Sequence, residues 1–272
     1  MSKRLPLTQR IKLLFDRLPG RVPDTVVNVA AHMRDGWVAE KAHAIQSGAR
    51  VLDAGAGECR YRKLFEHCRY TTQDFGLYQG TSSGPLKETW TYGRIDHVCD
   101  IAAIPVPDAS FEVVLCTEVL EHVPDPVDVL RELSRVLAPG GSLLLTAPLS
   151  CGLHQEPYHF YGGYTPHFYR KYLTEFGLDL VEIRPMGGLL KHVAQEVHRA
   201  GRLLKEKSPS GLPILVRYLL LNWLPRFLSR AEDRVFVEKF TIGYMVEARK
   251  RAVSSLRTAG FEDGGTIRRS TP

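Results

Sequence analysis

Residues 51–58 read Val-Leu-Asp-Ala-Gly-Ala-Gly-Glu. This is a short apolar run ending in a carboxylate, followed at once by two glycines one residue apart. An apolar run of this length, closed by a turn, reads as a strand covered on both faces. Gly55 and Gly57 suit a tight turn in which a ligand approaches the backbone with no Cβ in the way. Tyr61–Phe65 then reads as the start of a helix, so the stretch is a strand–turn–helix unit. A glycine pair in this place is common to many sheets that bind ligands at their strand ends, and the neighbouring segments must narrow the reading.

Working outward, the rhythm repeats. Tyr70–Asp74 is a second β-prone run that again ends in Asp, and the Gly76–Pro85 loop leads to a weaker third strand near Ile95–Cys99, followed by Asp100. Phe111–Thr117 is continuous and β-branched. Asp125 and Pro126 then stand at the N-cap and first position of a helix whose apolar residues (Val129, Leu130, Leu133, Val136 and Leu137) recur at helical spacing. Pro139-Gly140-Gly141 stops that helix and turns into another buried strand, Ser142–Ala147. Further on, Thr165-Pro166 opens a helix to Phe176, Leu178–Arg184 is a strand, and Leu189–Glu206 is helical. Ser208–Pro213 is a hinge, Ile214–Leu228 is an apolar helix broken at Pro225, and Phe240–Arg249 is a last strand. Strands alternating with helices predict an α/β fold with a doubly wound, mostly parallel sheet.

The division expected is a helical arm over 1–48, one domain over 49–250 with a helical insertion at 187–238, and a tail over 251–272. The chain has 272 residues, 44% hydrophobic and 24% charged, which excludes wholesale disorder and a polytopic membrane protein. Thirty-six Lys and Arg against 30 Asp and Glu leave +6, spread along the chain. The basic segments Lys3–Arg21 and Arg199–Lys207 read as solvated faces, so a nucleic-acid partner is not expected. Five cysteines form an odd set with no C-x-x-C pair, which argues against both a disulfide framework and a zinc site and fits a reducing, cytoplasmic setting. The basic N-terminus is interrupted by charges and offers no continuous apolar core for a secretion signal.

Asp74 lies 21 residues past Asp53 at the end of the next strand, where a carboxylate can take both hydroxyls of a ribose. Asp100, at the third strand end, is placed to accept from an exocyclic amine of adenine. Three carboxylates at successive strand ends suit a neutral or cationic nucleoside and repel a pyrophosphate.

With these residues in place, the chain resembles the class I S-adenosylmethionine-dependent methyltransferases. Val51–Glu58 resembles their glycine motif, Asp74 their ribose acid and Asp100-Ile101 their adenine pair. Ile104–Pro148 resembles their fourth strand, following helix and fifth strand, and Phe240–Arg249 their reversed last strand; Cys59 departs from the third glycine that many members carry. The resemblance implies a Rossmann-like fold with S-adenosyl-L-methionine as cofactor. It assigns cofactor binding to Asp53, Ala54, Gly55, Gly57, Asp74, Asp100, Ile101 and Thr117.

Methyl transfer from a sulfonium is an in-line displacement, so the protein positions the acceptor and removes its proton if the acceptor is a hydroxyl. His154 and His159, in the His- and aromatic-rich segment after the fifth strand, are the candidate bases. That segment resembles the corresponding loop of methyltransferases of surface-glycan biosynthesis. Its Tyr158, Phe160 and Tyr161 can stack on sugar faces, or simply pack the loop onto the sheet. His167 falls on the following helix and reads as exposed. Glu118, Glu121 and His122 form the E-x-x-E-H string that holds a divalent metal in ubiquinone-pathway O-methyltransferases and small-RNA 2′-O-methyltransferases. Many relatives carry the string without metal, and the metal-free reading is preferred here. The expected acceptor is a sugar or lipid-linked glycan, or another small-molecule hydroxyl. The alternatives are a metal-assisted enzyme acting on a ribose or catechol-type diol, and a non-catalytic adaptor. Leu212–Arg230 carries Arg217 and two prolines, too interrupted for a transmembrane span, but able to lie in a membrane interface with Trp223 as anchor. No feature of the sequence sets an oligomeric state.

Overall fold

The computed structural model describes residues 22–80, 90–208 and 211–252. Residues 1–21 of the expected arm, including the basic Lys3–Arg21 segment, lie outside the described residues. So do 81–89, which include the end of the Gly76–Pro85 loop, 209–210 of the hinge and 253–272 of the tail.

Seven strands form one sheet in the order β3-β2-β1-β4-β5-β7-β6. They are β1 (Arg50–Ala54), β2 (Arg69–Asp74), β3 (His97–Val98), β4 (Phe111–Thr117), β5 (Leu137–Pro148), β6 (Leu178–Pro185) and β7 (Gly243–Lys250). Only β7 is reversed: it runs antiparallel to β5, from Ser142 opposite Arg249 to Pro148 opposite Gly243, and antiparallel to β6 on its other side. The order turns back between β1 and β4, where open sheets of this kind bind ligands. The seven-stranded, mostly parallel α/β sheet with a reversed final strand is therefore as expected.

Each central strand has two faces, and each face has its own core. Leu52, Val114, Cys116, Leu143, Leu145 and Val246 pack against Val129, Leu130 and Leu133 of α3 (Pro126–Val136) and Tyr169 and Leu173 of α4 (Pro166–Glu175). Their chain neighbours Val51, Val113, Leu115, Leu144 and Met245 face the other way, onto Trp37, Val38 and Ala42 of α2 (Val29–Ala44), which follows the short α1 (Asp24–Val27). A period of two thus sends successive residues of one apolar run into two different cores.

Several local expectations change, among them the start of the fifth strand, which lies at Leu137 rather than Ser142. The helix after the glycine turn is a single 3-10 turn, Arg62–Phe65, because the chain must rejoin the sheet at Arg69. The third strand shrinks to two residues, since the Asp96 carboxylate takes the Thr72 N–H (3.0 Å) in place of a ladder carbonyl. The last strand starts at Gly243, after a 3-10 turn at Glu238–Phe240.

The insertion is a helical hairpin. It comprises α5 (Leu189–Lys207), α6 (Ile214–Tyr218), a π-helical turn (Leu219–Trp223) and α7 (Leu224–Glu232). The returning helix is continuous rather than broken at Pro225. Proline cannot donate to the carbonyl four residues back, and Leu221 O is met instead by His198 Nδ1 at 3.2 Å. Gly201 makes the close crossing possible: a Cβ there would lie 2.9 Å from Leu220 and Leu221. The buried Glu232 carboxylate closes the hairpin by accepting from Gly188 N (2.9 Å) and Lys191 N (2.7 Å) at the start of α5, where the helix dipole favours an anion. No helix among the described residues is long and apolar enough to cross a membrane.

Candidate active site

The strand ends of β1, β2 and β4 open into a cavity of about 640 Å³. Asp53, Gly55, Gly57, Asp74, Asp100, Ile101 and Thr117 all line it. Ala54 does not, because its side chain alternates into the core beside Leu52 and is fully buried there.

The glycine turn is shaped by its neighbours. Gly55 sits at φ +75°, and a Cβ there would lie 2.4 Å from Val119 Cγ2; Gly57 sits at φ +49°, where a Cβ would lie 2.7 Å from Trp90. Both positions therefore need glycine for conformation and for space. The Asp74 carboxylate is already anchored, accepting Gly57 N at 2.9 Å and Gly76 N at 3.0 Å. Asp100 is exposed at the rim and caps its own turn through Ala102 N (2.8 Å).

Asp53 is 2% exposed and receives the Tyr70 hydroxyl. Burial pushes its pKa up to about 7; the Tyr70 bond and Arg62 pull it down, and Asp74 pushes it further up. A cationic group beside it would favour the carboxylate, so binding an amino-acid ammonium from below pH 7 must release a proton. We expect S-adenosylhomocysteine affinity to climb with pH toward about 7, by at most about tenfold per unit, and then level off. Calorimetry at about pH 6 and about pH 8, with Asp53→Asn as the pH-insensitive control, checks this.

Two residues that sequence reasoning overlooked complete the wall. Arg34, on α2, reaches the cavity from the arm. It bonds Glu118 Oε2 (3.2 Å) through Nη1 and the Tyr61 hydroxyl (3.1 Å) through Nε. Burial opposes its charge, but Glu118 and Tyr61 outweigh burial and hold the guanidinium firmly ionised. Its signal was present: Arg34 lies one helical turn before the buried Trp37 and Val38, on the apolar stripe of α2. Gln73 bridges the strand ends, accepting Gly55 N (3.1 Å) and donating to Cys99 O (2.7 Å).

The expected bases are placed elsewhere. His154 and His159 do not line the cavity, whereas His122 does, together with Glu118, Gln155, Tyr158 and Phe160. His122 Nδ1 meets Tyr158 O at 2.6 Å, which leaves Nε2 with the lone pair. Burial lowers its pKa to about 4, with His154 and His159 adding to the effect, so the ring is neutral at physiological pH. The three imidazoles form one cluster, with His154 4.7 Å from His122 and 4.6 Å from His159 between ring centres. Glu118 is drawn away from this cluster, fixed by Arg34 and by the Thr146 hydroxyl (2.9 Å). Glu121 is 1% exposed with Oε2 unpartnered, and burial together with Glu118 raises its pKa well above the usual carboxylate range. His167 is exposed on α4, as expected, and lines no part of the cavity.

A switch-point sheet with a reversed last strand, a two-glycine turn and strand-end acids in one cavity define a Rossmann-like fold with a ligand site at its strand ends. A family model described as a methyltransferase domain matches residues 52–145, from β1 into β5. Over residues 52–145 the chain is thus similar to methyltransferase domains, and S-adenosyl-L-methionine is the cofactor that the resemblance implies. Over 105 residues the chain is 47% identical to a ubiquinone biosynthesis O-methyltransferase of Xanthomonas oryzae pv. oryzae, covering 37% of this chain and 43% of that one. Over 159 residues it is 28% identical to a glycine/sarcosine/dimethylglycine N-methyltransferase of Actinopolyspora halophila, covering 54% and 28%. The chain thus spans less than half the length of these curated relatives. Phosphoethanolamine N-methyltransferase 2 of Haemonchus contortus, solved in complex with S-adenosyl-L-methionine, aligns over 81% of this chain and 52% of that one, at 16% identity and a TM-score of 0.49.

The residues present suit the cofactor. The glycine turn offers backbone without Cβ atoms, Asp74 and Asp100 offer acceptors for ribose and adenine, and Arg34 and Asp53 offer opposite charges to an amino acid's carboxylate and ammonium.

Proposed function

We propose that this chain methylates a hydroxyl, of a sugar, a lipid-linked glycan or another small molecule, using S-adenosyl-L-methionine. The observation that supports this best is the shared cavity, in which nucleoside-binding acids, the Arg34 guanidinium and a neutral imidazole face one space. S-adenosyl-L-methionine supplies a methyl group already activated on its sulfonium. Within this reading Asp74 orients the ribose, Asp100 and Ile101 the adenine, and Arg34 with Asp53 the amino-acid end. His122 takes over the base role first assigned to His154 and His159, since it reaches the cavity wall with its lone pair available. Tyr158 and Phe160 present apolar faces on which a sugar can stack. The arm takes part through Arg34, while none of the insertion's described residues lines the cavity.

Transfer of a labelled methyl group tests the reading. The expected product is an alkali-stable ether on a hydroxylated acceptor, and transfer to amines such as sarcosine alone would overturn it. The runner-up, a metal-assisted enzyme acting on a ribose or catechol-type diol, is favoured by Glu121, His122 and His154 offering ligand atoms within 4.8 Å of one another. After chelation and desalting, added Mg²⁺ or Mn²⁺ is expected to leave activity unchanged, whereas recovery only with these ions would establish the runner-up.

The insertion supports peripheral membrane contact. Leu215, Leu219, Trp223 and Phe227 recur every four residues and are 63%, 42%, 49% and 52% exposed, with Trp223 and Phe227 stacked. Arg217 and Arg230 are exposed nearby and can reach lipid phosphates. The protein is expected to co-sediment with phosphatidylglycerol vesicles, and Trp223→Glu with Phe227→Glu to cut partitioning at least about tenfold. Absence of wild-type binding would remove the idea.

A further inference from the structure

The segment after β5 brings a thiol and two imidazoles together beside the cavity. Cys151, His154 and His159 offer ligand atoms that all lie within 4.8 Å of one another, with Cys151 Sγ to His159 Nε2 at 3.4 Å. The backbone prepares this arrangement. Cys151 N donates to Gly162 O (2.8 Å), closing the loop at its two ends. A Cβ on Gly163 would lie 2.3 Å from Leu149 O, so the chain can return this closely only at glycine. His154 Nδ1 is spent on Gly152 O (2.9 Å), which leaves its Nε2 as the ligand atom. A ring nitrogen committed to a backbone carbonyl is the usual support behind a metal-bound histidine.

We propose that Cys151, His154 and His159 bind one transition-metal ion of the Zn²⁺ class, which clasps the 151–162 loop. The ligand chemistry selects this class. Mg²⁺ and Ca²⁺ require several oxygen ligands, and the neighbouring set offers only Glu121, because Glu118 is fixed by Arg34 and Thr146. One thiolate and two imidazoles suit Zn²⁺, with the remaining coordination position open to water. Binding displaces the thiol proton to solvent, leaving one thiolate charge against the divalent ion. The clasp holds Gln155, Tyr158 and Phe160, the wall that this loop contributes to the cavity. It is therefore a positioning device, and it stands whether or not the acceptor proposed above is the right one.

The test uses the full-length protein, stripped with chelator, reloaded with Zn²⁺ or Co²⁺ and dialysed. Wild type is expected to retain about one ion per chain, and its Co²⁺ form to show thiolate-to-metal charge-transfer absorption in the near ultraviolet. Cys151→Ser and His159→Asn should lose both signals and the rise in melting temperature on adding Zn²⁺, while Glu121→Gln keeps all three. Melting of the metal-free variants alongside metal-free wild type separates loss of ligand from loss of fold. Failure of wild type to retain metal would overturn the proposal. So would retention by Cys151→Ser with loss in Glu121→Gln, which would place the ion on Glu121, His122 and His154 instead.

Discussion

Asp74→Ala is expected to weaken S-adenosylhomocysteine binding by roughly a hundredfold, the effect of losing about 3 kcal/mol of hydrogen bonding to a charged acceptor. The carboxylate has two tasks in one place. It accepts Gly57 N at 2.9 Å and Gly76 N at 3.0 Å, tying the glycine turn to the loop after β2, and it faces the cavity where ribose hydroxyls would bond. Alanine removes the ligand acceptor and also frees two backbone donors, so the turn relaxes as the ligand loses its partner. Asp74→Asn is the finer probe. It keeps one acceptor oxygen but points an amide N–H₂ at a backbone N–H, and an intermediate loss of roughly tenfold is expected. Calorimetric titration of both variants, with thermal melts to verify folding, reads the effect directly. Undiminished affinity in Asp74→Ala would take the ribose away from this acid. No heat from wild type would remove cofactor binding altogether and turn attention to the adaptor reading and the Leu212–Arg230 helix.

The second large effect belongs to Arg34. Its guanidinium spends Nη1 on Glu118 and Nε on Tyr61, and neither contact uses Nη2. An amino-acid carboxylate in the cavity would take those remaining donors, a geometry that lysine cannot reproduce. Arg34→Ala is expected to lower cofactor affinity by roughly tenfold to a hundredfold. It also strips Glu118 of its counter-charge. Glu118 keeps 28% of its side chain exposed, so the stability cost is expected at about 1–2 kcal/mol, below that of a fully buried pair. The two effects separate in a double variant. Adding Glu118→Gln to Arg34→Ala should recover melting temperature, because the uncompensated charge is gone, while affinity stays low. Affinity that recovers along with stability would show Arg34 to be structural only.

Much of this molecule was legible because its signals are local. The apolar runs of β1, β2 and β4, the Asp125-Pro126 helix start and the Thr165-Pro166 helix start each depend on neighbouring residues, and the structure places them within a residue or two of the expected positions. The strand-end acids were legible for the same reason: a run that ends in Asp before a turn presents that Asp at the edge of the sheet, and Asp53, Asp74 and Asp100 all reach the cavity. Ala54 belongs to the same motif, yet the period of two sends its side chain into the core beside Leu52.

What the sequence by itself determined is thus the alternation of elements, the sheet they build and the residues at its ligand-binding edge, since each follows from spacing along a few neighbouring positions. Tertiary structure alone decided which residues meet across that edge. Arg34 is 84 positions from Glu118 in the chain, and only the packing of α2 against the sheet joins them. The same packing withdraws Glu118 from the Glu121–His122 string. The return of the chain after β5 gathers Cys151, His154 and His159 beside His122, while leaving His122 alone of the four on the cavity wall. Such meetings depend on how whole elements dock and how side chains share buried volume, and no local period records them.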